Sequence, residues 1–166
     1  MRLLVGPASA VESLLAREPV DHILALVAPE TPIATFPRPA TVLRFNDIVE
    51  PRPGLIEPTA SSIREIIGLG QRLPPAATLL IHCFAGVSRS PAAAYILACA
   101  ATSAGEEEAL AAVLRAASPG ATPNALMIAL ADDILGRGGA MSRSIRAIGR
   151  GADAFEGDVI DWIIGD

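Results

Sequence analysis

Two residues whose side chains can perform chemistry together, Cys83 and Arg89, lie six positions apart in one short stretch. A thiol becomes a nucleophile when it loses its proton, and a neighbouring guanidinium favours the thiolate. The planar guanidinium also offers a fork of donors that matches two oxygens of a phosphate group. The pair therefore indicates a nucleophile placed beside a phosphate-sized anion site.

The residues around this pair predict a strand, a tight loop and a helix. The apolar run at 79–81 has the length of a buried strand. Ser90 is the predicted N-cap of the following helix, with Pro91 in its first turn. Gly86 fits a place where the backbone needs a positive φ or lies against a ligand. Such a loop points backbone N–H groups and a helix N-terminus at one spot, which favours an anion.

The pattern His-Cys-x-x-Gly-x-Ser-Arg-Ser, at residues 82–90, resembles the active-site loop of the cysteine-dependent protein tyrosine phosphatases. It is most similar to the small dual-specificity branch. The resemblance implies a metal-independent phosphatase without a cofactor, in which Cys83 is the nucleophile. Ser90 would donate to the Cys83 sulfur as it leaves in the second step, and His82 would hold the loop by hydrogen bonds. The substrate phosphate would be bound by the loop residues Phe84, Ala85, Gly86, Val87, Ser88 and Arg89.

The rest of the sequence predicts strands alternating with helices. Strands are expected at 2–5, 20–28 and 41–45, and helices at 8–17 and from Thr59 or Ser62 onwards. This order predicts an α/β domain with a central, mostly parallel sheet of four to five strands and helices on both faces, as in the protein tyrosine phosphatase fold. Its ligand site is expected at the carboxyl ends of the strands. Two later helices are expected, one capped by Ser103 with Glu106 and one beginning at Pro123-Asn124.

A phosphatase of this type needs an acid that protonates the leaving oxygen. Asp47 follows the third predicted strand, 36 positions before Cys83, and the dual-specificity phosphatases carry their acid at a comparable distance. Asp47 could instead close an Asx turn, a role that the adjacent Asn46 could also fill. The other candidates are Glu50, which ranks second, Glu57, and the pair Asp132 and Asp133, which we expect to be exposed on a late helix.

Composition narrows the possible classes of protein. The chain has 166 residues, of which 51% are hydrophobic, and predicts one domain with a full core. A net charge of −5 argues against a nucleic-acid partner, and no apolar run is long enough to span a bilayer, so we expect a cytoplasmic protein. All thirteen basic residues are Arg, a composition that suggests a GC-rich bacterial genome. Cys99 is expected to be a small buried hydrophobe, with a resolving thiol for Cys83 as the alternative.

The tail departs from the minimal phosphatase domain, which we place at 1–136, and forms an extension at 137–166. Its arginines at 137, 143, 146 and 150 are expected to be solvated. Phe155, Val159, Trp162 and Ile163 have the spacing of an amphipathic helix, which we expect to dock on the domain. A dimer or partner contact is the alternative, because an exposed apolar face would be costly in water.

The sequence favours phosphotyrosine in a protein as substrate, followed by phosphoserine or phosphothreonine or a small phosphomonoester. A phosphate or sulfate ion is expected to bind in the loop. The loop lacks the Lys that relatives acting on inositol phosphates tend to carry, so that substrate is less favoured. Two alternatives stay open: a catalytically silent phosphate-binding module, and a sulfurtransferase of the rhodanese type.

Overall fold

The computed structural model describes residues 1–32 and 35–165, which contain a five-stranded sheet of order β3-β2-β4-β1-β5. The first four strands are parallel, and β5 runs antiparallel beside β1. The predicted α/β class with a mostly parallel sheet is confirmed. The strand bounds are β1 Arg2–Pro7, β2 His22–Val27, β3 Ala40–Arg44, β4 Thr78–Cys83 and β5 Ile160–Ile163.

In the described part of the chain six α-helices cover the sheet, and a short 3-10 turn at Ala8–Ala10 precedes the first of them. α1 lies on one face and the other helices belong to the core on the opposite face, so the prediction of helices on both faces is confirmed. None of the helices in the described residues is long and apolar enough to cross a membrane. The helix bounds are α1 Val11–Arg17, α2 Ala60–Arg72, α3 Arg89–Ala100, α4 Glu107–Ala117, α5 Ala125–Leu135 and α6 Ala140–Ala147.

The sheet has one hydrophobic core on each face. Successive residues of the central strands belong to alternate cores, because side chains alternate between the faces of a sheet. Leu80 packs with Leu14 of α1, whereas its neighbours Leu79 and Ile81 pack with α2 and α3. All residues of α3 up to Cys99 are buried, and its alanines allow close approach to the sheet. The helix that begins at the reactive loop is therefore the most deeply buried helix of the fold.

Three predicted helix caps differ from the structure. Thr59 caps α2 by accepting from the backbone N–H of Ser62, so the second of the two predicted starts is wrong. Ser88 takes the N-cap position of α3 in place of Ser90. The predicted box of Ser103 with Glu106 is absent, since Glu106 is the N-cap residue and makes no side-chain capping bond. The start of α5 at Asn124 is confirmed, because its side chain accepts from Met127 N at 3.0 Å.

The predicted amphipathic helix at 155–163 is wrong, since Ile160–Ile163 form the edge strand β5. Alternate residues, Ile160 and Trp162, are buried, and Trp162 lies opposite Leu3 of β1. The last strand therefore belongs to the same sheet as the reactive loop, although the domain boundary at 136 and a partner contact of the tail stay predictions. The helix α6 was not expected.

Arg137 corrects the expectation that the tail arginines are solvated. Its guanidinium forms a buried ion pair of 2.9 Å with Glu107 and donates to the carbonyl oxygens of Cys99 and Thr102. The other oxygen of Glu107 accepts from Gly105 N at 2.8 Å. This cluster joins the end of α3, the start of α4 and the turn after α5.

Candidate active site

Cys83 is the last residue of β4, and Arg89 is the first residue of α3. β4 lies between β1 and β2 in the middle of the sheet. Both residues line one cavity at the carboxyl end of the parallel strands. The structure thus brings the predicted nucleophile and the predicted phosphate-binding arginine to one site.

Gly86 makes the tight course of the loop possible. Its φ is 72°, in the left-handed region that side chains disfavour. A Cβ at this position would lie 2.6 Å from Pro7 N and 2.8 Å from Gly6 C, so the loop also rests directly on the end of β1. The positive φ that the sequence suggests is confirmed, whereas the approach of Gly86 to a ligand stays a prediction.

The sulfur of Cys83 is buried among hydrogen-bonding groups. The backbone N–H of Gly86 donates to Sγ at 3.3 Å, and Ser90 Oγ lies 3.2 Å from it. Ser90 is fully buried, and its hydroxyl also reaches the carbonyl oxygen of Gly6 at 3.5 Å. A thiolate at Cys83 would thus accept from two fixed donors, as the predicted role of Ser90 requires.

Arg89 is buried in the same cavity as Cys83, with part of its donor fork unused. Nη1 donates to the carbonyl oxygen of Phe45 at 3.0 Å, which fixes the side chain. Nε has no hydrogen-bond partner among the described residues, and its nearest acidic atom, Asp47 Oδ2, is 3.8 Å away. Since buried donors are normally satisfied, this nitrogen indicates a place for an anion.

Asp47 is held against the loop by two hydrogen bonds to the same oxygen. Ser88 Oγ donates to Oδ1 at 2.7 Å and Asn124 Nδ2 at 2.8 Å. Asn46 does not close an Asx turn either, since its side-chain oxygen accepts from Ile56 N, ten residues on, at 2.8 Å. Asp47 is therefore free of a turn-closing role and lies at the rim of the site.

The other acid candidates lie elsewhere. Asp132 is buried, against our expectation, because its carboxylate accepts from Gly139 N at 2.7 Å and Ser142 N at 2.8 Å. Asp133 is exposed as expected. Among the described contacts, neither Glu50 nor Glu57 forms a hydrogen bond or an ion pair with the loop.

Asn124 is the functional residue that the sequence reasoning missed. Its amide nitrogen donates to Asp47 and to the carbonyl oxygen of Ile48, while its amide oxygen caps α5. The Pro123-Asn124 pair is the available signal, but as a sequence pattern it predicts only the start of a helix. One side chain thus ties the candidate acid to a helix N-terminus.

His82 does not have the predicted hydrogen bonds. Neither ring nitrogen has a partner among the described residues, although the side chain is buried, and Phe36 packs with ring centroids 5.9 Å apart. Burial, together with the nearby charge of Arg89, lowers the pKa of His82, so its ring is neutral at neutral pH. His82 therefore contacts the loop as an uncharged packed ring.

The outer side of the loop is held by backbone hydrogen bonds from later segments. Thr122 N donates to the carbonyl oxygen of Val87 at 2.8 Å, and Gly157 N donates to that of Ala85 at 2.8 Å. Phe84 is the exposed side chain of the loop, at 75%. The tail thus contacts the loop directly, at Ala85.

Cys99 does not fit a resolving thiol. It lies ten residues after Arg89 along α3, a separation of about 15 Å along the helix axis. Burial raises the pKa of the Cys99 thiol to about 12. These properties are those of a small buried hydrophobe. Within residues 1–32 and 35–165, no group of three His, Cys, Asp or Glu side chains is placed to hold a metal ion.

No family model matches the chain, and no curated protein matches it. A solved structure described as the crystal structure of DUSP15 is similar to it, with a TM-score of 0.63 and 20% sequence identity. The match covers 88% of this chain and 89% of that chain. The resemblance that the loop predicts is thereby confirmed at the level of architecture: the chain has a dual-specificity phosphatase-like fold.

Proposed function

We propose that the protein hydrolyses phosphate monoesters through a phosphocysteine intermediate on Cys83. The observation that carries the proposal is the environment of its sulfur, with Gly86 N and Ser90 Oγ in contact and the unpartnered Nε of Arg89 in the same cavity. The fold supports the same conclusion.

In the first step the Cys83 thiolate attacks phosphorus, a P–S bond forms and the P–O bond to the leaving alcohol breaks. Asp47 gives its proton to the departing oxygen, a contribution typically worth about 10² to 10⁴ in rate. Arg89 and the backbone N–H groups of the loop stabilise the charge on the transferring phosphoryl group. Covalent catalysis in this form divides one difficult displacement into two.

In the second step water attacks the phosphocysteine and Asp47 accepts a proton from it. The P–S bond breaks, inorganic phosphate forms and the sulfur leaves as a thiolate. Gly86 N and Ser90 Oγ lie within 3.3 Å of Sγ and would stabilise that thiolate. Phosphotyrosine in a protein, which the sequence favours, is one substrate of this reaction class.

The test is the hydrolysis of an aryl phosphate in the presence of a chelator. The wild type is compared with Cys83→Ser and Asp47→Ala. The proposal predicts turnover by the wild type, none by Cys83→Ser, and a loss of about 10² to 10⁴ in kcat for Asp47→Ala. Phosphate binding without turnover in the wild type would contradict it and favour a silent binding module. A persulfide on Cys83 after treatment with thiosulfate would favour sulfur transfer.

A further inference from the structure

A cavity of about 960 Å³ extends from Cys83 and Arg89 over the sheet face that carries α1. A phosphate group occupies a small part of such a space, since volumes of about 300 to 1,000 Å³ hold whole drug-sized ligands. The cavity therefore has room for a large part of the alcohol to which the phosphate is esterified.

The walls away from the sulfur are apolar. α1 supplies Val11 and Leu15, the end of β2 supplies Val27, β3 supplies Val42, and Phe36 adds an aromatic ring to the same lining. All five side chains are partly exposed, and Val42 has 39% of its surface accessible. Covering them with a hydrocarbon group would remove apolar surface from water, which favours binding.

The charges of the cavity fix the direction in which a ligand binds. Arg44 also lines the cavity, and its Nη1 is directed to the carbonyl oxygens of Pro29 and Thr31, to which it donates at 3.0 and 2.8 Å. Glu12 and Glu30 are exposed at the rim and disfavour an anion there. The unpartnered guanidinium nitrogen of Arg89 lies at the Cys83 end. A phosphate thus belongs beside Cys83, and an uncharged apolar body in the remainder.

We infer that the substrate is a small-molecule phosphate monoester of an apolar alcohol, whose hydrocarbon part lies between α1 and Phe36. This inference deepens the proposed function and rests on it for the phosphate end of the site. A phosphotyrosine peptide fits the walls less well, because its backbone N–H and C=O groups would lose water against the apolar side chains of Val27 and Val42, which offer no hydrogen bonds. The phosphopeptide is therefore the competing outcome of the test.

The test measures binding to Cys83→Ser by calorimetry, with n-alkyl phosphates from ethyl to decyl, each below its micelle-forming concentration. A buried methylene contributes about 0.8 kcal/mol, which corresponds to an affinity gain of about fourfold. We expect a gain of this size for each added methylene until the cavity is filled. A phosphotyrosine peptide should bind more weakly than octyl phosphate.

Val42→Trp, made in the Cys83→Ser background, fills the cavity and should abolish the gain beyond butyl phosphate. Val113→Trp is the matched control, since Val113 has a similar exposure of 45% on α4, away from the cavity, and should keep the full series. In the wild-type background, Val113→Trp should leave the hydrolysis of ethyl phosphate unchanged, since Val113 lies outside the cavity.

Affinities independent of chain length, equal series for Val42→Trp and Val113→Trp, or tighter binding of the phosphopeptide would each overturn the inference. Phosphate release separates this result from the proposed function. If the wild type hydrolysed aryl phosphates but the affinity for alkyl phosphates did not rise with chain length, the inference alone would fail. If the affinity rose with chain length but no monoester were hydrolysed, the proposed function alone would fail, and the inference that the cavity binds a phosphate ester of an apolar alcohol would be retained.

Discussion

The side-chain amide of Asn124 donates a 2.8 Å hydrogen bond to Asp47 Oδ1 and joins residues 77 positions apart. Ser88 donates to the same oxygen from within the reactive loop. The candidate acid is therefore oriented by two elements that also shape the phosphate site, α5 and the loop. Its geometry depends on the fold as a whole more than on its own segment.

Asn124→Ser should lower kcat about tenfold for alkyl phosphates, whose leaving groups need a proton. Serine keeps a good N-cap for α5 but lacks the amide that donates to Asp47. Because Asn124 acts by positioning the acid Asp47, the loss of kcat should be smaller for aryl phosphates with acidic phenols, which leave without being protonated. Steady-state kinetics across a series of leaving groups measures this dependence.

Asp47→Asn is the control for Asn124→Ser, because both should show the same dependence on the leaving group. The free energy of unfolding of Asn124→Ser should fall by about 1 to 3 kcal/mol, because the cap is retained but the buried carbonyl oxygen of Ile48 loses its donor. An equal loss of kcat for every leaving group would contradict a positioning role for Asn124.

Gly157→Ala should lower kcat/KM at least tenfold without unfolding the protein. The backbone N–H of Gly157 donates to Ala85 O, and a Cβ at this position would collide with the carbonyl oxygen of Gly86. The added methyl group would displace the loop or the tail, and phosphate affinity should fall with kcat/KM. Kinetics and phosphate titration measure both effects.

Gly68→Ala is the matched control for Gly157→Ala. Gly68 lies in α2, where an added Cβ meets the end of the flexible Arg72 side chain at 3.0 Å. Alanine is the better helix former, so this variant should be as stable as the wild type or more stable, with unchanged activity. Normal phosphate affinity in Gly157→Ala would show that the tail does not support the loop.

Arg137→Met should lower the free energy of unfolding by about 3 to 5 kcal/mol, because it leaves Glu107 buried without its cation. Glu107→Gln in the same chain should recover part of the loss. Arg150→Met is the control, since its ion pair with Asp153 is exposed and such pairs contribute at most about 1 kcal/mol. Urea unfolding measures the free energy of unfolding of the wild type and of these three variants. Similar losses for Arg137→Met and Arg150→Met would contradict the prediction that the buried ion pair contributes more than the exposed one.

The lowered pKa of His82 predicts how stability depends on pH. Below about pH 6.5 the unfolded chain binds a proton at this residue that the folded chain does not, so the free energy of unfolding falls as pH falls. The fall is at most about 1.4 kcal/mol per pH unit and ends at the folded pKa. His22, whose pKa burial also lowers, adds a change of the same sign.

His82→Gln should therefore have a shallower fall between pH 6.5 and 5 than the wild type. Asp161 affects stability in a separate pH range. Arg2 lowers the pKa of the Asp161 carboxyl, so its contribution to the free energy of unfolding is lost below about pH 4. Urea unfolding at several pH values measures the slope. Equal slopes for wild type and His82→Gln would mean that His82 is not the group responsible.

The reactive loop could be predicted from the sequence because its chemistry is local. Cys83, Gly86 and Arg89 are close in sequence, and strand, loop and helix follow from the types of the intervening residues. The mostly parallel sheet also follows from short apolar runs separated by helices. Local patterns therefore sufficed for the centre of the site and for the fold class.

The error in the tail has a physical cause. The apolar residues near the C-terminus fit a helix at 155, 159, 162 and 163, and a strand at 160, 162 and 164. The free edge of β1 decides between these periods, because it pairs with β5 from Arg2 to Val5. A partner so distant in sequence leaves no local signal.

Long-range contacts likewise explain what the sequence missed at the site. The Asn124–Asp47 bond, the Gly157–Ala85 bond and the buried pair of Arg137 with Glu107 each join segments that meet only after folding. A charged residue in a polar stretch is usually exposed, and Arg137 and Asp132 depart from that expectation because each satisfies several backbone groups.

The most direct test of the central claim is a chemical one, made on acid-quenched enzyme. Ser90→Ala removes the hydroxyl beside Cys83 Sγ and should slow the second step, so that a covalent intermediate accumulates after mixing with an aryl phosphate. Peptide mapping by mass spectrometry is predicted to find one phosphoryl group on Cys83, formed in a burst equal to the enzyme concentration. Product release without any phosphoryl group on Cys83, or with the group on another residue, would contradict the account.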